Sequence, residues 1–92
     1  MAAQWIGFEE ADQLRELLEG IAADEHAGSG ARTRARSAAD RVAPQMRDED
    51  LADLVKLLSA AAGSEQLDRT WRSGARYWAG QLEGWLRPRA SD

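Results

Sequence analysis

The side chains able to do acid–base, nucleophilic or metal chemistry are unevenly supplied. Sixteen carboxylates, eleven arginines, one lysine and a single histidine, His26, are spread over 92 residues, and cysteine is absent. Without a thiol, no disulfide, zinc–thiolate site or cysteine nucleophile is expected. His26 has no second histidine to complete a conventional metal pair, and it lies at a helix end beside glycine, an ordinary surface position. Ser29, Ser37, Ser59, Ser64 and Ser73 carry no nucleophile-elbow pattern, and no glycine-rich phosphate loop is present. The acids recur at i, i+3 and i+4 on polar helical faces. A paired-carboxylate site needs an apolar pocket that raises one of the two pKa values, and the spacing signals none. We therefore expect no catalytic residues, no metal ligands and no cofactor.

The bases are clustered. Arg32, Arg34, Arg36 and Arg41 form the densest group, and Arg69, Arg72 and Arg76 the second. Binding a nucleic-acid backbone needs several arginines converging on one strip. The competing reading pairs them with acidic helices along a shared edge, and the charge pattern favours it. Residues 1–26 carry seven acids and one base, 27–47 five bases and one acid, 48–68 six acids and one base, and 69–92 five bases and two acids. Each acidic segment is thus followed by a basic one. Exposed ion pairs are worth only about 0–1 kcal/mol each, so their value lies in selecting which helices lie side by side. Eighteen alanines accompany the arginines, which reads as GC-rich coding and weakens any case for arginine chosen for its bidentate geometry.

Four helices must position these groups. A helix over about 8–25 has Ala11, Leu14, Leu17, Leu18, Ile21 and Ala22 on one face. Glu9 and Glu10 occupy its first turn, where carboxylates favour the helix dipole. Residues 27–30 form a glycine-rich break with Ser29 as a candidate cap. A second helix over about 31–43 has an apolar face of small residues, Ala31, Ala35, Ala38, Ala39 and Val42, and Pro44 ends it. A partner can approach that face closely or present large side chains to it. A third helix over about 49–62 carries Leu51, Leu54, Val55, Leu58 and Ala62, and Gly63-Ser64 reads as a stop followed by a new cap. A fourth runs over about 65–87. Trp71, Trp78 and Trp85 are each seven residues apart on it, a step that drifts by only about 20° around a helix. The indoles therefore share a stripe with Leu67, Ala75, Leu82 and Leu86. Residues 1–7 form a lead-in whose Trp5 is a candidate hydrophobic staple on the first helix, and 88–92 are a polar tail.

Setting residues 8–47 over 48–87 without a gap matches eleven of forty positions, among them Leu14/Leu54, Leu18/Leu58, Arg32/Arg72, Ala35/Ala75, Arg36/Arg76 and Ala39/Ala79. The period falls near the roughly 40–47 residues of HEAT-type repeats, with no family motif beyond that length. Two copies fit a closed bundle better than a solenoid, which usually needs at least about three. The expected fold is all-α: one domain over 1–92, a four-helix bundle of two antiparallel hairpins, 8–43 and 49–87, from a possible 40-residue internal duplication. In this register Ala31 and Ala38 correspond to Trp71 and Trp78, so the indoles are expected to fill space left by the alanine face of the second helix.

Away from the tryptophans, the fourth helix carries Ser73, Tyr77, Gly80 and Gly84 on one strip, bordered by Arg69 and Arg76. Glycine inside a helix costs about 1 kcal/mol relative to alanine, often where another backbone comes close. The expected function is a non-enzymatic helical protein–protein interaction module that self-associates, as a homodimer, or acts as a small adaptor or inhibitor. These six residues are its candidate interface. The alternative is a nucleic-acid-binding or regulatory domain using Arg32, Arg34, Arg36 and Arg41. No stretch approaches the roughly 18 apolar residues of a membrane span, and 1–10 lack the basic and apolar regions of a signal peptide. A cytoplasmic protein without membrane contact is expected.

Overall fold

Each apolar stripe becomes a helix, and the larger residues of the first and third stripes turn inward. The computed structural model describes residues 3–86, with α1 over Phe8–Ala23, α2 over Ser29–Arg41, α3 over Asp48–Ala62 and α4 over Arg69–Leu86. All six expected α1 positions, Ala11 through Ala22, are buried, as are Leu51, Leu54 and Leu58 of α3. Leu14, Leu18, Ile21, Leu51, Leu58 and Leu82 are the largest fully buried side chains, each contributing about 1.5–3 kcal/mol of burial free energy. α1 packs with α2 and α3 with α4 as hairpins, and the hairpins join through α1 against α4 and α2 against α3.

Two short strands add to the helices. β1, Ala3–Trp5, pairs antiparallel with β2, Gln45–Arg47, with Gln4 opposite Met46. This ribbon ties the start of the chain to the link between the hairpins, and Ile6 N–H extends it by donating to Pro44 O at 2.7 Å. Gly7 then turns the chain into α1 at φ +99°, a conformation that favours glycine. Trp5 does not act as a buried staple; it stays exposed and meets Phe8 edge-to-face.

The helix ends differ from expectation by a few residues. α2 starts at Ser29, not Ala31, and Ser29 gives no capping bond. α4 starts four residues later than expected. Asp68, not Ser64, caps it, its Oδ1 accepting from Thr70 N–H at 2.8 Å. The expected end at Arg87 and the tail over 88–92 lie outside the described residues.

The forty-residue register reappears in the backbone. Asp24 N–H donates to Ile21 O and Ser64 N–H to Ala61 O; Ala27 N–H donates to Asp24 O and Leu67 N–H to Ser64 O; Arg32 N–H donates to Gly28 O and Arg72 N–H to Asp68 O. Each second bond is the first displaced by forty residues. Helix starts Phe8/Asp48 and Ser29/Arg69 follow the same offset. The two hairpins are thus structural repeats, and because α1 packs on α4 as α3 packs on α2, exchanging the hairpins relates them as an approximate two-fold would.

Asp24 joins the two turns across that axis. Its Oδ2 accepts from Asp68 N–H at 3.0 Å and its Oδ1 from His26 N–H at 2.9 Å. The Asp68 amide, followed by that of His26, holds the Asp24 carboxyl below its ordinary value of 3.8. A folded-state pKa below the unfolded one gives stability that is present above the unfolded value and lost as pH falls through the folded one. Acid titration of wild type should therefore show a loss of stability below about pH 4 that is shallower in Asp24→Asn. Equal slopes in urea melts across that range would show that the link carries no such stabilisation.

Candidate functional site

α2 turns the small side chains Ala31 and Ala38 towards α3, and no described residue fills the space beside them. Between the two helices lies an apolar groove of about 410 Å³. Its floor is Ile21, Leu54, Leu57, Met46 and Leu67, and Ala31 and Ala38 form the α2 wall. Its rims carry opposite charge. Arg34 and Arg41 stand on the α2 side, with Asp50, Asp53 and Lys56 on the α3 side. Asp50 is already paired with Arg47 at 3.3 Å, whereas neither rim arginine has an ion-pair partner among the described residues.

The approximate two-fold explains why the groove is open. The counterpart of the α2–α3 seam is the α4–α1 seam, where Trp71 and Trp78 stand in place of Ala31 and Ala38. There the space is filled. A Cβ placed on Gly20 of α1 would lie 2.6 Å from the Trp71 ring, and one on Gly74 would lie 3.1 Å from Leu17 Cδ1. Trp78 is buried and Trp71 half-buried. The expectation that the indoles cover the alanine face of α2 is therefore corrected. No tryptophan lines the groove; Trp71 seats on Gly20, and Ala31 is left exposed. Residues forty apart occupy equivalent places on opposite sides of the axis and do not face each other. Leu57, the counterpart of buried Leu17, is accordingly only half-covered.

The expected strip on α4 is a surface, all of it exposed: Arg69, Ser73, Arg76, Tyr77, Gly80 and Gly84. Tyr77 is 58% exposed, its ring edge-on to Trp78 and its hydroxyl accepting from Gln81 Nε2 at 2.8 Å. A Cβ on Gly80 or Gly84 would meet nothing within 4 Å. No close backbone approach among the described residues accounts for either glycine.

The four arginines of α2 do not act as one strip. Arg32 is half-buried and its Nε donates to Ala22 O at 3.0 Å in the last turn of α1. Arg34 and Arg41 border the groove, and Arg36 is exposed outside its lining. Across the first hairpin, arginine–carbonyl bonds take the place of the expected edge ion pairs. Arg15 Nη2 reaches Val42 O at 2.7 Å, at the end of α2, reciprocating Arg32. Each satisfies a helix-terminal carbonyl that has no intrahelical partner. The ion pairs found among the described residues are all within three residues in sequence.

No protein-family model, curated protein or solved structure matches the chain. Among the described residues there is no group of three or more potential metal-ligating side chains, and no helix is long and apolar enough to cross a membrane. The groove itself was not located by sequence. Its signal was the all-small face of α2, but the position of that face against α3 depends on how the hairpins dock.

Proposed function

We propose that this chain is a non-enzymatic protein-interaction module that works by helix-face contact, with the α2–α3 groove as its principal contact surface and the outer strip of α4 as a second. The observation that carries the reading is the unfilled groove. Apolar floors of this volume are typical of sites that take an apolar group from outside. Its rim of arginines, without an ion-pair partner among the described residues and facing acids, supplies orientation to a charged partner. Asp24, whose carboxyl is held below its ordinary pKa, serves a turn-to-turn link and not the groove.

Cross-linking and pull-down from the native cell, read by mass spectrometry, tests this with two surface variants. A protein retained by wild type should be lost from Ala38→Trp, which places an indole in the groove. Retention by Ala38→Trp with loss from Tyr77→Arg would move the contact to α4. No protein lost from either variant, together with nucleic-acid binding that weakens steeply with salt, would replace this reading with nucleic-acid recognition.

A further inference from the structure

Two features are left without a role inside the monomer. One is the groove. The other is an aromatic knob at the start of the chain, where Trp5 is 61% and Phe8 70% exposed. Their rings hold each other edge-to-face, with centroids 5.3 Å apart and planes at 83°. Large aromatic side chains in water are unfavourable, and clustered pairs of them mark contact surfaces.

We propose that the groove between α2 and α3 is the receptor for the Trp5–Phe8 knob of a second copy of this chain. This deepens the interaction-module reading and rests on it. Three observations converge on that occupant. The first is the internal template: at the counterpart α4–α1 seam the space over Gly20 is filled by the Trp71 ring of α4, and Gly74 of α4 covers Leu17. An aromatic ring thus suits this seam, and the knob would cover Leu57 as α4 covers Leu17. Ala60 stands where α1 has Gly20, so an incoming ring must sit nearer Leu57 than Trp71 sits to its own floor. The second is size. The groove holds about 410 Å³, inside the roughly 300–1,000 Å³ of sites that bury an organic group of this scale.

The third is charge. Beside the knob, the first turns of α1 expose Glu9 and Asp12, and the groove wall on α2 offers Arg34 and Arg41. Glu9, and Asp12 once released from its exposed pair with Arg15 at 3.3 Å, would enter with the knob and meet arginines that have no ion-pair partner among the described residues. Each copy carries both knob and groove, so a reciprocal two-fold dimer uses each contact twice.

Light scattering of the full chain, from micromolar to submillimolar concentration, reads the proposal directly. Wild type should rise from 10.1 kDa towards twice that mass. Trp5→Ser with Phe8→Ser removes the knob at exposed positions, and Ala38→Trp blocks the groove. Each should weaken association by at least about 30-fold, the size expected for losing a contact hot spot, with the helical circular dichroism retained. Mixing the two variants is the discriminating step: one still offers a groove and the other still offers a knob. The mixture should re-associate through a single contact, more weakly than wild type but more strongly than either variant alone.

A wild-type mass of one chain at every concentration overturns the proposal, leaving the broader interaction reading to the pull-down. A dimer untouched by either variant, or a mixture that stays monomeric, also overturns it and assigns any association to another face such as the Tyr77 strip.

Discussion

Trp78→Ala should lower the unfolding free energy by about 3–5 kcal/mol, the range for truncating a buried aromatic side chain. Trp78 is only 8% exposed and belongs to the continuous core with Leu14, Leu18, Leu58 and Leu82. Removing the indole deletes its contacts and leaves a cavity that the backbone of a helical hairpin cannot collapse to fill. A domain of this size has little reserve, since whole-domain stabilities begin at about 5 kcal/mol. The variant should therefore be largely unfolded at temperatures where wild type is intact. Urea denaturation monitored by circular dichroism measures the difference. A loss below about 1 kcal/mol would place the indole at the surface and contradict its place in the core.

Gly20→Ala should destabilise by about 1–3 kcal/mol, the cost of overpacking a well-filled contact, although alanine is favoured over glycine in a helix by about 1 kcal/mol. The added methyl group would sit 2.6–2.8 Å from three atoms of the Trp71 ring, so the indole must shift. Gly80→Ala is the control. It adds the same methyl on α4 with no neighbour within 4 Å and should stabilise by up to about 1 kcal/mol. The decisive comparison is the double variant. With Trp71→Ala already in place, Gly20→Ala loses its clash and should become stabilising, a reversal of sign that helix propensity alone cannot produce. Chemical denaturation of the four proteins in one cycle gives the coupling.

Much of this fold was legible because the helices are amphipathic. The three- and four-residue spacing from Ala11 to Ala22 named every buried position of α1 before the structure placed them. The strands were not legible. Ala3–Trp5 and Gln45–Arg47 are too short to show a two-residue period, and they pair only because the bundle brings them together. The start of α4 was misread because Ser64 and Asp68 are both good caps. The repeat favoured Asp68: the turn bonds of 24–32 recur over 64–72, which sets the helix start at Arg69 opposite Ser29.

The seat of the tryptophans was misassigned for a related reason. Large and small residues at matching repeat positions look complementary in one dimension. Under an approximate two-fold they sit on opposite sides of the molecule, each facing its own neighbour. Trp71 faces Gly20, and Ala31 lines the open seam towards α3. The candidate surface was half legible in consequence. The Tyr77 strip was found and is exposed, but the groove could be located only once the docking of α2 on α3 was known.

That Trp71 of α4 seats on α1, and not on the alanines of α2, is the claim from which the open groove follows. Nuclear Overhauser contacts of the Trp71 ring in isotope-labelled protein test it most directly. The account predicts strong contacts from the Trp71 indole protons to the α-protons of Gly20, with none to the methyl groups of Ala31 or Ala38. Contacts from Trp71 or Trp78 to those alanines would put the indoles between α2 and α4, close the groove and contradict the account.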